Sequence, residues 1–318
     1  MGTNAEHAAA AAMPRTAAAA DRLVFVEETG STNTLARERV SNGTLDVTGG
    51  AAFGGAAGGV TGGDAHTVVA VVAADRQTAG RGRLDHTWQS RPGESSTVTY
   101  VVGVPCDIAT DQSVNGWLQM IAGLATLDGI DAALADCGAR RVDGDGAGCG
   151  DDAGRAGLQL KWPNDIFLDG RKLGGILAEL VPLPGDAAHA AIVFGVGLNL
   201  AVPADRLPTA QATSLHLHYG PLPAGDDLRD RIAAGTVAAL RRRLAAFAAN
   251  PHAAAGALRA ETAARSYTLG RRAVAHFVDG SSLEGETVAL NADASITLRD
   301  DAGVEHAVRT GDVGVLPA

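Results

Sequence analysis

The sequence predicts an α/β (α+β) fold in which a larger mixed domain precedes a small all-β domain. Short apolar, β-branched runs alternate with longer segments whose apolar residues recur at helical spacing. After Arg265 the composition changes, and short strand-like runs are separated by turn residues such as Asp279-Gly280. We therefore expect a larger domain at 22–268, a β domain at 269–318, and a disordered tail at 1–21.

The elements follow in order along the chain. The tail is alanine-rich and has no periodic apolar face. Ser31, an N-cap residue type, begins a helix that follows the first strand. Two Gly-rich segments, 42–65 and 138–157, are predicted to be flexible insertions on the surface. Further strands are expected at 67–74, 96–104, 158–161, 166–168, 172–180 and 190–200, and long helices at 114–135 and 228–249.

Two charged or polar patterns predict no site. His216 and His218 share one face of an expected strand at 213–219, but no third metal-ligand type lies nearby in the sequence. Arg241 to Arg243 is read as a solvated charge run on the long helix that Pro251 ends.

Charge and cysteine content limit the function classes. The chain has 318 residues and a net charge of −10, which argues against a nucleic-acid partner or an anionic membrane surface. The three cysteines have no paired spacing, which fits a reduced cytoplasm without disulfides. No stretch of about 18 apolar residues is apparent, so no membrane span is expected. The protein is expected to be soluble and cytoplasmic.

The most informative stretch is KWPNDIFLDGRKLGGIL at 161–177. Leucines and polar residues alternate up to Lys161, so this lysine points away from the buried face of its strand. Asp169-Gly170 is a two-residue hairpin signal, and Gly174 and Gly175 in the return strand indicate close approach by a ligand or another backbone. The alternative is an ordinary β-hairpin with surface lysines.

A second unusual stretch is DRQTAGRGR at 75–83, which follows a buried strand. Gly80 and Gly82 free the backbone, while Arg81 and Arg83 supply guanidinium forks suited to carboxylate or phosphate. A solvated basic loop would have the same composition. No GxxxxGK[ST] sequence follows a strand, so this is not the P-loop pattern.

Two polar groups complete the set of candidate residues. Ser31-Thr32-Asn33 lies where a strand meets a helix N-terminus, where side chains and free N–H groups can face a ligand, although this stretch by itself favours plain helix capping. The run Gly195-Val196-Gly197-Leu198-Asn199 ends another strand with two alternating glycines. Neutral donors suit an uncharged polar head and cations suit a carboxylate beside phosphates, which indicates activation of a carboxylic acid by a nucleotide.

In this order, STN, QTAGRGR followed by Trp88, KWPND, KLGGIL, GVGLN and a small β domain resemble the biotin protein ligase family, from Leu23 to Leu316. The resemblance implies a catalytic domain similar to class II aminoacyl-tRNA synthetases and an SH3-like C-terminal barrel. It also implies that biotin and MgATP give biotinyl-5′-AMP, and that the biotinyl group passes to a lysine of a biotin carboxyl carrier domain.

The resemblance also assigns roles by position. Lys161 and Arg83 would be catalytic, and no residue is assigned as a protein ligand to metal. The positions matching the family's biotin site are Ser31, Thr32, Asn33, Gln77, Arg81, Gly82, Arg83 and Lys161. Those matching its nucleotide site are Gly80, Arg83, Trp88, Asn164, Lys172 and Asn199.

The chain departs from the family pattern in one loop. After GRGR the family has Gly and then Arg, whereas Asp85 and His86 stand here, so the closing loop lacks one permanent positive charge. The N-terminal helix-turn-helix domain of repressor-type members is also missing from this sequence, so no operator binding is expected. Two alternatives stay open: a lipoate or octanoate ligase of the same fold, and a non-catalytic biotin-binding module.

Overall fold

The computed structural model describes residues 2–48, 67–83, 86–142 and 157–316. Within these ranges the helices are α1 (Gly2–Ala12), α2 (Pro14–Ala19), α3 (Thr32–Ser41), α4 (Cys106–Thr110), α5 (Gly116–Asp136), α6 (Gly225–Ala249) and α7 (Pro251–Ala264). The strands are β1 (Arg22–Thr29), β2 (Val69–Gln77), β3 (Gly80–Arg81), β4 (Thr87–Trp88), β5 (Ser95–Pro105), β6 (Arg140–Arg141), β7 (Leu158–Lys161), β8 (Asp165–Leu168), β9 (Arg171–Leu183), β10 (Asp186–Asn199), β11 (Tyr219–Gly220), β12 (Arg272–His276), β13 (Ser282–Leu290), β14 (Ile296–Arg299), β15 (Glu305–Val308) and β16 (Asp312–Val315).

The larger domain is built on a mixed seven-stranded sheet. Its strand order is β1-β2-β5-β10-β9-β8-β7. The β1 and β2 strands are parallel, and the remaining neighbours are antiparallel. The predicted mixed α/β fold is therefore confirmed. The Asp169-Gly170 hairpin signal is also correct, because both residues have positive φ between β8 and β9.

Helices cover both faces of this sheet. Val69 and Val71 of β2 face a core that includes α5 and α6, whereas Ala70 and Val72 face the core under α3. Because β2 is buried on both faces, its sequence is a continuous apolar run and does not alternate. The helix α5 is apolar enough by length and composition to cross a membrane, which the sequence analysis did not anticipate, but 72% of that stretch is buried inside the protein.

The C-terminal domain is a five-stranded antiparallel sheet that contacts the larger domain. Its strand order is β15-β14-β13-β12-β16, and the last strand was not predicted. Two indole N–H groups of the larger domain donate to carbonyls in the turn before β14: Trp117 Nε1 to Ala292 O at 2.7 Å, and Trp162 Nε1 to Ala294 O at 2.8 Å. These bonds fix the small domain beside the strand that carries Lys161.

The prediction of a disordered tail at 1–21 is wrong for the described part of that segment. Alanine is the best helix former, and α1 and α2 fall in the alanine-rich stretch. Between them Met13 is fully buried. The backbone N–H of Thr16 donates to Asp230 of α6 at 2.8 Å. The segment is helical because it packs on α6, a long-range contact that local composition does not reveal.

The two predicted insertions are structured at their described ends. Leu45 and Val47 are buried in the core under α3, so 42–48 is part of the packed domain. At the second insertion, β6 pairs with β11. The residues 49–66 and 143–156 lie outside the described residues, and the predicted flexibility there stays a prediction.

Three local predictions are also corrected. The segment at 213–219 forms a short 3₁₀ helix, Leu215–Leu217, rather than a strand. Arg241 to Arg243 is not a free solvated run, because Arg241 pairs with Asp21 at 2.7 Å and Arg243 pairs with Glu261 at 2.6 Å. Pro251 does follow the end of α6, but it also begins α7, since proline is tolerated in the first helical turn.

Candidate active site

A cleft of about 1490 Å³ lies between β9 and β10 of the large sheet, the β3–β4 hairpin and β16 of the C-terminal domain. It brings together almost all of the residues that the sequence singled out. Those lining it are Ser31, Thr32, Asn33, Gln77, Arg81, Gly82, Arg83, Trp88, Lys161, Asn164, Lys172 and Asn199. Gly80 is not among the lining residues, so its role in a nucleotide site stays a prediction.

One wall of the cleft is a network of neutral hydrogen-bonding groups. The backbone N–H and hydroxyl of Thr32 lie 2.7 and 3.0 Å from Gln77 Oε1. The Thr99 hydroxyl lies 2.8 Å from both the Thr32 hydroxyl and Asn33 Oδ1. Ser31 caps α3 by accepting from the N–H of Thr34, so its capping role is real. Because these residues hold one another, the wall is preorganised for an uncharged polar ligand.

Glycines allow this wall to form. A Cβ at Gly195 would overlap the Asn33 carboxamide, and a Cβ at Gly197 would overlap the Trp88 indole. Gly80 is needed for a different contact, because a Cβ there would overlap the backbone carbonyl of Trp88 across the β3–β4 pair. Gly80 therefore allows the close pairing of β3 with β4.

The opposite side of the cleft carries a buried carboxylate between two lysines. Lys161 Nζ lies 3.0 Å from Asp165 Oδ2, and Lys172 Nζ lies 2.6 Å from Asp165 Oδ1. Only 11% of the Lys161 side chain is exposed, so it is not the surface lysine of the alternative reading. Burial alone would raise the pKa of Asp165, but the two ammonium groups outweigh burial and lower this pKa.

The arginines of the β3–β4 loop have different environments. Arg83 is half-buried and donates to Asn164 Oδ1 at 3.3 Å and to the Gly311 carbonyl at 3.1 Å. Burial lowers the pKa of Arg83, while Asp312 and Asp165 oppose this effect. Arg81 instead pairs with Glu179 at 3.1 Å. Arg83 thus feels the charge of the carboxylate that holds Lys161, whereas Arg81 pairs with Glu179, which also bonds Asn33 of the neutral wall.

Asparagines fix the backbone around the cations. Asn164 Nδ2 donates to the Ile176 carbonyl at 3.0 Å, which leaves its Oδ1 for Arg83. Asn199 Nδ2 donates to the Thr213 carbonyl at 2.9 Å. Both predicted nucleotide-site asparagines therefore line the cleft and also hold its loops in place.

Comparison with known sequences shows which family the chain belongs to. A family model described as "Biotin/lipoate A/B protein ligase family" matches residues 66–199. Over 296 residues the chain is 32% identical to the biotin–[acetyl-CoA-carboxylase] ligase of Mycobacterium tuberculosis, which covers 92% of this chain and 88% of that protein. The chain belongs to the biotin protein ligase family.

Other comparisons agree with membership of the biotin protein ligase family. The bifunctional ligase/repressor BirA of Bacillus spizizenii is 31% identical over 140 residues, 43% of this chain and 34% of that protein. The structure of a biotin protein ligase from Aquifex aeolicus in complex with biotin and ATP superposes with a TM-score of 0.59, at 18% identity, over 94% of this chain and all of that one. The structural match supports the fold.

Several cleft residues of this biotin protein ligase family member were not named from the sequence. Asp165 is the last residue of KWPND, so its membership of that motif is a signal that could have been used, whereas its contact with both lysines is visible only in the structure. Thr99 and Glu179 support the cleft wall without lining it, and they gave no local signal because each bonds Asn33 of α3, which is distant in sequence. The wall formed by 312–316 was missed together with β16.

The buried Asp165 predicts a pH dependence of stability. Its pKa in the folded protein lies below the unfolded value, so its contribution to stability is present above about pH 4 and is lost as the pH falls further. Asp165→Asn should therefore lower the melting temperature at neutral pH, and the gap to wild type should narrow as the pH falls below about 4. Melting curves across this range would test it, and a constant gap would contradict the assignment.

Proposed function

We propose that this chain is an ATP-dependent biotin protein ligase. It joins biotin to ATP, giving biotinyl-5′-AMP and pyrophosphate, and then transfers the biotinyl group to a lysine of a biotin carboxyl carrier domain of a biotin-dependent carboxylase. The observation that carries the proposal is the cleft itself, in which a neutral hydrogen-bonding wall faces Lys161, Lys172 and Arg83. The family relationship supports the same reaction.

The arrangement suits a condensation between two anions. The neutral wall of Thr32, Asn33 and Gln77 would hold the uncharged bicyclic head of biotin, with Ser31 and Arg81 at its margin. Lys161 and Arg83 would stabilise the negative charge that accumulates as the biotin carboxylate attacks the α-phosphorus and pyrophosphate leaves. Because both cations are fixed before the ligand binds, little reorganisation is needed.

The nucleotide would occupy the side of the cleft nearer to Lys172, Asn164, Trp88 and Asn199. In the second step the amine of the carrier lysine attacks the acyl carbonyl, AMP leaves, and the amine loses a proton. No protein nucleophile is required. Gly82 lies in the β3–β4 loop, where its N–H donates to the His86 carbonyl at 2.6 Å, and we propose that this loop covers the adenylate.

Mg²⁺ would enter with ATP. Among the described residues no group of three or more His, Cys, Asp or Glu side chains could hold a metal by itself. Mg²⁺ commonly binds through one or two carboxylates plus substrate phosphates, and Asp165 and Asp312 line the cleft. The residues therefore fit a phosphate-bound Mg²⁺, which would neutralise charge on the leaving pyrophosphate.

Three further assignments belong to this proposal. The larger domain would be of the class II aminoacyl-tRNA synthetase type, as the mixed sheet with flanking helices suggests. The five short antiparallel strands after 271 would form an SH3-like barrel. A cytoplasmic location fits Cys106 and Cys137, which are free.

The test is biotin-dependent exchange of labelled pyrophosphate into ATP by the purified chain. We expect exchange with biotin and little with lipoate or octanoate. Exchange driven by lipoate or octanoate would instead indicate the related lipoate-type ligase. Biotin binding without any exchange would indicate a non-catalytic binding module.

The departure at His86 predicts weak retention of the adenylate. His86 lies beside Gly82 in the loop and lines the cleft, while Asp85 lies outside the described residues. An arginine there would add a permanent positive charge near the phosphates. We expect His86→Arg to release biotinyl-5′-AMP more slowly than wild type, with dissociation followed after rapid dilution. Equal release rates would show that this position does not control retention.

A further inference from the structure

A fully buried arginine lies beneath the end of β2, the strand that carries Gln77 of the neutral wall. Only 2% of the Arg229 side chain is exposed, and it projects from the first turns of α6 toward the end of β2. Its NH1 lies 2.8 Å from Asp75 Oδ1 and 3.4 Å from the Ala74 carbonyl. Its guanidinium also lies over the Phe25 ring, 5.4 Å from the centroid.

The hydrogen bonding of this arginine is incomplete. Its Nε is buried and has no hydrogen-bond partner. Its pairing with Asp226 is long, at 3.4 Å, and reaches a carboxylate that is 61% exposed. A buried guanidinium with an unsatisfied N–H costs stability, and an apolar side chain of similar length is often at least as stable in such a place. Stabilisation of the core therefore does not account for the presence of Arg229.

The contact with Asp75 places Arg229 next to the proposed biotin site. Asp75 lies two positions before Gln77, whose Oε1 accepts both hydrogen bonds from Thr32. Arg229 contacts none of the lining side chains that would bind biotin, and it is not itself a lining residue of the cleft. Any effect on the ligand would therefore be transmitted through the backbone at the end of β2.

The next residue of α6 is also a buried charge, but it faces away from the site. Asp230 is 1% exposed and accepts from the backbone N–H groups of Arg15 and Thr16, at 3.0 and 2.8 Å. Thus α6 is held on one side by the N-terminal helices and holds β2 on the other. Asp230 provides a matched control, since it is equally buried and adjacent but bonds the N-terminal helices instead of the end of β2.

We infer that Arg229 is a positioning residue for biotin binding, which acts by fixing Asp75 and with it the place of Gln77 beside Thr32. The inference rests on the proposed function. Loss of Arg229 should weaken the binding of biotin but not the binding of ATP. Lys161 and Lys172 are held by Asp165, so their positions do not depend on the end of β2.

The experiment compares Arg229→Met with Asp230→Asn in the full chain. For Arg229→Met we expect an unchanged or higher melting temperature, a rise of at least about tenfold in the KM for biotin, and an unchanged KM for ATP in pyrophosphate exchange. The dissociation constant of biotin, measured by calorimetry, should rise in parallel. Asp75 is 32% exposed, so water can solvate its freed carboxylate. For Asp230→Asn we expect a lower melting temperature and an unchanged KM for biotin.

A double variant tests whether the effect passes through Asp75. The biotin KM of Arg229→Met/Asp75→Asn should equal that of Arg229→Met alone, because both changes break one contact. An unchanged biotin KM in Arg229→Met, or an equal rise in Asp230→Asn, would overturn the inference while leaving the ligase assignment intact. Absence of exchange in the wild type would instead reject the ligase assignment, and calorimetry would still test the effect on biotin binding.

Discussion

Lys161→Ala is expected to reduce biotin-dependent pyrophosphate exchange by about 10²–10³-fold, the loss typical when one preorganised donor to a developing anion is removed. The Lys161 ammonium lies in the cleft, only 11% exposed, and is held at 3.0 Å by Asp165. The variant should fold, because Asp165 keeps its contact with Lys172 at 2.6 Å. Initial exchange rates at saturating biotin and ATP would measure the effect.

The control for this variant is Arg171→Ala, which removes an exposed cation from the same hairpin outside the cleft lining. It should exchange pyrophosphate at the wild-type rate. Lys161→Met serves as a second variant that preserves most of the buried side-chain volume. If either Lys161 variant kept its rate within about threefold of wild type, the lysine would not be stabilising the transition state.

Gly195→Ala is expected to raise the dissociation constant of biotin at least about tenfold, the value of one to two hydrogen bonds. The new Cβ would overlap the Asn33 carboxamide, so this side chain would have to leave its 2.8 Å contact with the Thr99 hydroxyl. The polar wall would then lose the Asn33 side chain, which joins Thr99 of β5 to Leu177 and Glu179 of β9. Titration calorimetry with biotin in the absence of ATP isolates this effect.

The matched control is the same substitution at Gly256, where no atom lies within 4 Å of the new Cβ. Gly256 is exposed in the middle of α7, so Gly256→Ala should stabilise the protein by up to about 1 kcal/mol and leave biotin binding unchanged. If Gly195→Ala bound biotin as tightly as wild type, the Asn33 contact would not contribute to the site.

Much of the fold could be predicted because its signals are local. The apolar run of β2, the Asp169-Gly170 turn and the helical spacing of α5 each occur within one element, and each was recognised. The helices at the N-terminus were missed because the alanine-rich segment has no periodic apolar face, and the packing of α1 on β1 and of α2 on α6 is not visible in the local sequence. The bond from Thr16 to Asp230, for example, joins residues 214 positions apart.

The candidate site shows the same division. Lys161 and Lys172 were both singled out, but their meeting at Asp165 was not, because it requires the β8–β9 register and an irregularity between Ile166 and Phe167. Similarly, Gly80 was assigned to the ligand, whereas the β3–β4 pairing shows that it is needed for the Trp88 backbone. The sequence identifies the lysines as candidate site residues, but the pairing of β8 with β9 determines that both contact the Asp165 carboxylate.

The two tryptophan anchors constrain how substrates can enter. Trp162 directly follows Lys161, and its indole donates to Ala294 of the C-terminal domain, while Trp117 donates to Ala292 in the same turn. A movement of the C-terminal domain relative to the larger domain would therefore also displace the Lys161 ammonium group. Arg83 also donates to the Gly311 carbonyl of that domain, so a carrier domain can reach the cleft with both cations in place only if the C-terminal domain stays docked.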